Sequence, residues 1–138
     1  MAAWLFKTEP SDFSFEDLVA KKSARWDGVK NPTALKHLRS IEKGDTVIVY
    51  HTGDEKSAVG LARVVRAPYP DPALDEPKRV VVDLAADRPL PRPVPLAEFR
   101  ADPLLAQTDV VRIPRLSVVP FSAAQLARVR KLGGLGPG

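Results

Sequence analysis

The period of the hydrophobic positions changes several times along the chain, and each change marks an element. "AWLFK" (Ala3 to Lys7) is an apolar run of strand length. Thr8-Glu9-Pro10 closes it, because a proline cannot extend a ladder and biases the residue before it. A helix start follows, with Ser14 as N-cap, Asp17 completing a capping box, and Phe13 stapled to Leu18. That helix is predicted from Phe15 to about Lys21, and the lysines at its end suit the negative pole of its dipole. A second helix opens with Asn31 as cap and Pro32 at the first helical position. Thr46 to His51 and Ala58 to Arg66 read as two strands around Thr52-Gly53-Asp54, and Arg79 to Leu84 as another.

"APYPDPALDEP" is expected as a surface loop, and "DRPLPRPVP" is again proline-rich. A weak helix is read around Leu96 to Arg100, a further turn near Leu104, and a last strand from Arg115 to Pro120. The final helix repeats the first one's entry, with Ser122 as cap, Gln125 in the box and Phe121 stapled to Leu126. It is expected to run to about Leu132 with Gly133 at C′, and the tail over 133–138 to fray.

The order is βααββββα or close to it, mostly without βαβ spacing. It predicts an α+β fold: a curled mixed or antiparallel sheet, or small barrel, of five to six strands with short helices at its ends. A chain of 138 residues supports one domain, 1–138, and shows no internal repeat. The absence of cysteine removes disulfides, thiolate catalysis and cysteine-based zinc sites. With no signal segment and no stretch of membrane-span length, the expectation is a complete, cytoplasmic protein without a membrane partner.

Charge alters the picture more than composition does. The net charge is +4, but Ala20 to Lys43 holds seven bases and two acids, a net of +5, and the remainder nets −1 with 14 bases and 15 acids. The positive excess therefore surrounds Trp26, and such a local field attracts polyanions. Phosphate-loop, dinucleotide, nucleophile-elbow and HExxH motifs are all absent. His37 is expected on a solvated helix face and His51 to be satisfied by backbone. Two histidines without a clustered third ligand predict no metal centre. Glu9 and Asp27 are the one carboxylate pair that could act as acid and base, and nothing in the sequence places them together.

What remains is a binding constellation. Trp4, Trp26 and Tyr50 are three of nine aromatics, each beside polar residues able to read a ligand edge. Trp4 is read as a core residue and Trp26 as a pocket wall, so that Trp26→Ala should abolish binding and leave the melting temperature little changed. Aromatic faces stack nucleobases, Asp accepts from an exocyclic amine, and Asn both donates and accepts. Gly28 would let the backbone approach closely.

Read in order, "WLFKTEPSDFSFEDL", "RWDGVKN", "KGDTVIVYHTGDEKSAVGLARVV", "VVVDL" and "LPRPVPLAEFRADPLLA…RLSVVPFSAAQL" resemble the EVE domain family over about residues 3 to 130. The resemblance implies a PUA-like fold, and binding of nucleic acid whose modified base is flipped into an aromatic-lined pocket. Modified cytosine in DNA is the favoured ligand class. Carried over position by position, the pocket is lined by Lys7, Thr8, Glu9, Trp26, Asp27, Gly28, Val29, Asn31, Tyr50, His51, Arg115, Leu116 and Ser117. Trp26 takes the stacking role and Asp27 or Asn31 the edge contacts. Lys7, Lys30 and Arg115, with Lys36 and Arg39 on the following helix, are the expected phosphate contacts. No cofactor and no catalysis are implied, and a monomer is expected.

The chain departs from the family pattern where Pro32-Thr33-Ala34-Leu35 replaces tyrosine-glutamine-alanine-arginine. It departs again where Arg79 stands in place of a tryptophan, and its proline-rich loop is shorter. Two alternatives stay open: an RNA-directed PUA-like module, and an enzyme on a nucleotide-like molecule using Glu9 or Asp27.

Overall fold

The computed structural model describes residues 2–136. Six strands form one mixed sheet: β1 (Ala3–Thr8), β2 (Ser23–Trp26), β3 (Thr46–His51), β4 (Ser57–Pro70), β5 (Val80–Pro95) and β6 (Val118–Phe121). Five short helices flank it: α1 (Phe15–Lys21), α2 (Pro32–Arg39), α3 (Leu96–Ala101), α4 (Asp109–Arg112) and α5 (Ala123–Leu132), with a 3-10 turn at Leu105–Gln107. The strand order is β2-β5-β4-β3-β1-β6, so the sheet stays open between its edges β2 and β6. β1 pairs in parallel with β3, since α1, β2 and α2 intervene between them, and every other pairing is antiparallel.

The capping chemistry stands as the sequence predicts. The Ser14 hydroxyl accepts from the Asp17 N–H at 3.1 Å and the Asp17 carboxylate from the Ser14 N–H at 2.9 Å. Ser122 and Gln125 repeat the arrangement at α5. Asn31 caps α2 by accepting from the Thr33 and Ala34 N–H groups.

Several elements differ from the sequence reading. β2 was unforeseen, and it pairs Ser23 to Trp26 with Ala85 to Val82 of β5. β4 and β5 run on into both proline-rich segments, as far as Pro70 and Pro95. Pro89, Pro91, Pro93 and Pro95 alternate along β5 beyond the four residues that β2 covers. Prolines at alternate positions present their missing N–H groups to one side, which costs nothing where no strand pairs. The last strand begins at Val118, not Arg115.

At the end of α5, Gly133 is not the left-handed residue. Gly134 takes that place with φ +89°, its N–H donating to the Lys131 carbonyl and that of Leu135 to the Arg130 carbonyl. This is a Schellman closure one residue later than expected. Residues 133–136 are thus tied to the helix, and Gly133 accepts from the Arg92 N–H at 3.0 Å. The last two residues of the expected frayed tail, 137–138, lie outside the described residues. His37 is half-buried with its ring 6.1 Å from that of Trp4, not on a solvated face.

Leu5, Phe6, Ile48, Leu61, Leu84 and Phe99 form the centre of the core. Gly60 is buried in β4 because the Phe15 ring crosses it, and a Cβ there would stand 2.4 Å from that ring. Gly60→Ala is expected to cost about 1–3 kcal/mol by forcing the ring or strand aside. Chemical denaturation checks it, and an unchanged midpoint would contradict this packing.

Candidate functional site

One cleft of about 770 Å³ opens where the ends of β1 and β2 meet. Lys7, Thr8 and Glu9 enter from the end of β1, and Trp26 to Lys30 from the end of β2 and the loop after it. Asp12 and Phe13 line it from the connection into α1, Lys21 from the end of that helix, and Ser117 from the residue before β6. Ser23, Ala24 and Arg25 of β2 complete the wall. The lining holds four bases (Lys7, Lys21, Arg25, Lys30) and three acids (Glu9, Asp12, Asp27).

Of the thirteen pocket positions expected from sequence, Lys7, Thr8, Glu9, Trp26, Asp27, Gly28, Val29 and Ser117 line this cleft. The other five do not. His51 is 2% exposed; its Nε2 accepts from the Phe15 N–H at 3.0 Å and its Nδ1 lies 3.2 Å from Glu55. An Nε2 that accepts puts the ring proton on Nδ1, where it donates to the Glu55 carboxylate, so this histidine is a structural link between β3 and α1. Tyr50 is buried edge-on against Phe99, with ring centroids 6.2 Å apart, and burial raises its pKa against the opposing Arg100 charge. Leu116 is a core residue. The Asn31 carbonyl oxygen is taken up by capping α2, which removes its acceptor from ligand reading. Arg115 is exposed outside the cleft.

The phosphate contacts divide in the same way. Lys30 is exposed on the rim, whereas Lys36 and Arg39 lie on α2 outside the cleft. Arg39 donates to the Lys78 carbonyl at 3.3 Å. The basic stretch read as one field is therefore split by the fold. Lys21 and Arg25, not singled out from sequence, take the places of Lys36 and Arg39 at the cleft. Lys7 is half-buried, donates to the Pro114 carbonyl at 2.7 Å, and has its pKa lowered by that burial.

Trp26 is 7% exposed, with the Phe6 ring 5.6 Å away and the Phe13 ring edge-on at 5.8 Å. An indole so enclosed offers the cleft floor little free surface, less than the stacking role expected of it calls for. Phe13 is the half-buried aromatic of the lining, with Lys21 Nζ 5.6 Å from its ring centroid. Sequence reasoning placed Phe13 only as a helix staple, and a staple residue necessarily sits beside the mouth of its helix. Trp4 is a core residue as expected, its Nε1 donating to the buried Asp45 at 3.0 Å.

Two loop features shape the floor. Gly28 adopts φ +80°, a left-handed turn that disfavours a side chain, while the space around it is open. The turn is a conformational requirement, and the open space leaves the backbone accessible from the cleft, as a close approach there requires. Arg79 Nε donates to the Val29 carbonyl at 3.1 Å and pairs with Glu76, so the residue standing where the family carries tryptophan braces the cleft loop from behind.

The carboxylates have unequal duties. Glu9 accepts from the Ser11 N–H and hydroxyl and from the Thr52 hydroxyl, at 3.1–3.3 Å. Asp27 is exposed and, among the described residues, makes no hydrogen bond or ion pair. Both line the cleft, but Glu9 is committed to two turns and nothing pairs it with Asp27. No group of three or more His, Asp or Glu side chains among the described residues is arranged to hold a metal ion. Among the described residues, no helix is long and apolar enough to cross a membrane.

Comparison with known proteins agrees with this architecture. The EVE domain profile matches residues 2–132. Thymocyte nuclear protein 1 of Mus musculus is 32% identical over 154 aligned positions, covering 86% of this chain and 68% of that protein. The chain spans 54 to 71% of the length of the curated relatives it matches. Rpa0253 from Rhodopseudomonas palustris superposes with a TM-score of 0.92 at 41% identity, covering 97% of this chain and 94% of that one. Human THYN1 in complex with 5-methylcytosine-containing DNA superposes at 0.88 with 29% identity, covering 97% and 98%. The chain belongs to the EVE domain family, with the α+β, PUA-like fold of its relatives.

Proposed function

We propose that this EVE domain is a non-enzymatic reader of a modified, cytosine-derived base that is flipped out of DNA into the cleft. The observation that carries the reading is the unpaired Asp27 carboxylate, set among Lys7, Lys21, Arg25 and Lys30 on a cleft floored by Phe13 and Trp26. Support also comes from the human relative, a complex of which contains 5-methylcytosine DNA. Cytosine presents an exocyclic amine that a carboxylate accepts, and thymine presents none there. The apolar edge of Trp26 and the Phe13 ring suit a methyl group on the base, and the rim lysines suit the phosphates.

Extruding a base from a duplex costs a few kcal/mol, and one aromatic stack returns about 1–3. Single strands, or weakened pairs, should therefore bind better than intact duplex, and binding should weaken with salt. A tryptophan-fluorescence titration calibrated with Trp26→Phe tests the reading. Its ligands are matched short strands: unmodified, 5-methylcytosine and 5-hydroxymethylcytosine DNA, and N6-methyladenine RNA. The expected result is selectivity for a modified cytosine, with Asp27→Ala weakening every cytosine-containing strand. Equal binding of all four strands overturns base reading, and preference for the RNA moves the module to an RNA partner.

A further inference from the structure

Beyond the cleft, a second polar cluster lies on β2, β5 and β4 and shares Arg25 with it. The register sets Arg25 of β2 opposite Asp83 of β5, and Asp83 opposite Arg66 of β4. One carboxylate thus stands between two guanidinium-bearing positions on neighbouring strands. The Tyr69 hydroxyl donates to Asp83 at 2.5 Å, and the Arg66 guanidinium carbon lies 3.7 Å from the Tyr69 ring centroid, in stacking contact. Arg25 is 3.8 Å from the buried Asp71, whose carboxylate is itself fixed by the Ala73 N–H. Both arginines remain open to solvent, the Arg25 side chain 41% exposed.

A guanidinium has five N–H donors, more than one shared carboxylate can occupy, and its plane takes a stacked base as an aromatic ring does. With two bases and two acids the cluster carries no net charge, so it is not a general polyanion patch. Its chemistry is directional: held donors at Arg25, and a stacked Arg66–Tyr69 platform one strand beyond β5.

We propose that this cluster is a second subsite for single-stranded DNA. Arg25 holds the phosphate beside the extruded base, and the Arg66–Tyr69 platform stacks the flanking base. The inference rests on the base-reading proposal for the cleft and deepens it, by giving the protein a site longer than one nucleotide. It also replaces Lys36 and Arg39 of α2 as the path of the strand.

The test compares 5-methylcytidine monophosphate, which has no flanking nucleotide, with a single-stranded DNA pentanucleotide centred on 5-methylcytosine and its unmodified counterpart. The variants are Arg66→Gln, Arg66→Ala with Tyr69→Ala, Arg25→Gln, Asp27→Ala, and Lys36→Gln with Arg39→Gln. Melting curves accompany each, and Arg66→Gln, at an exposed position, covers the case in which the double variant unfolds. The platform variants should lose tenfold or more in pentanucleotide affinity and leave the mononucleotide unchanged. Arg25→Gln should lower the slope of log affinity against log salt by about 1. Asp27→Ala should weaken both probes, and the α2 variant neither.

Pentanucleotide binding unchanged in the platform variants overturns the subsite, as does equal loss on both probes. If the wild type does not distinguish methylated from unmodified pentanucleotide, base reading fails, while a loss on the longer probe alone still establishes the subsite. A wild type that binds no pentanucleotide overturns both.

Discussion

Truncation of Trp26 to alanine is expected to remove about 3–5 kcal/mol of stability, as large-to-small changes at buried aromatics do. The sequence reading expected a pocket wall whose loss leaves the melting temperature little changed, and the burial of Trp26 argues for the opposite outcome. The indole closes the end of β2 over Phe6 and Phe13 with 7% of its surface exposed, so its removal opens a cavity under the cleft floor. Because Phe13 leans on the same ring, the cleft ring best placed to stack should lose its support at the same time. Urea denaturation with binding measured below the transition separates the two effects. Trp26→Phe, which keeps a ring in place, should retain most of the stability and part of the binding. A stable Trp26→Ala variant would mean that the indole is not the anchor its burial makes it.

Asp45→Ala is expected to cost about 3 kcal/mol or more although it touches no ligand. Asp45 is 2% exposed and accepts from the Trp4 indole at 3.0 Å, the Glu42 N–H at 2.9 Å and the Ala2 N–H at 3.2 Å. Hydrogen bonds to a charged group contribute about 1.5–3 kcal/mol each, and a buried donor left without its acceptor costs about 1–3. The carboxylate joins the start of β1, the turn after α2 and the start of β3, so three elements lose their common tie together. Asp45→Asn keeps one acceptor oxygen and should cost clearly less. Equal midpoints for the two variants in urea would show that the hydrogen bonds carry little of the stability.

The contrast between these two residues shows where a sequence speaks plainly. The capping boxes at Ser14 and Ser122, the Asn31 cap and the apolar run of β3 are local signals. Each rests on residues within a few positions of one another, and each stands in the structure as read. β2 gave no such signal. Ser-Ala-Arg-Trp has too little alternation to announce a strand, and it becomes one only through the ladder that β5 offers it. The prolines of β5 argued against a strand there, because their cost depends on whether a neighbouring strand needs the missing N–H, a fact held by the sheet order.

The site divides along the same line. The family resemblance brought Lys7-Thr8-Glu9 and Trp26 to Val29 to one place, and the ends of β1 and β2 do meet there. It could not say which of those side chains were already occupied. His51 and Asn31 are polar residues of the kind that read ligands, yet one accepts from the Phe15 N–H and the other caps α2. Tyr50 and His51 are adjacent on β3 and so point to opposite faces, and both are buried because both faces are covered.

The sequence by itself thus determined the fold family, the capped starts of α1, α2 and α5, and the half of the candidate cleft carried by two short motifs, but not α4. Their physics is short-range: caps, staples and apolar periods act over one or two turns. Only the tertiary structure decided that Trp26 is floor as much as wall, that Phe13 lines the cleft, and that Lys21 and Arg25 stand at it in place of Lys36 and Arg39. Those outcomes depend on burial and on which strand lies beside which, quantities fixed by the packing of residues far apart in the chain.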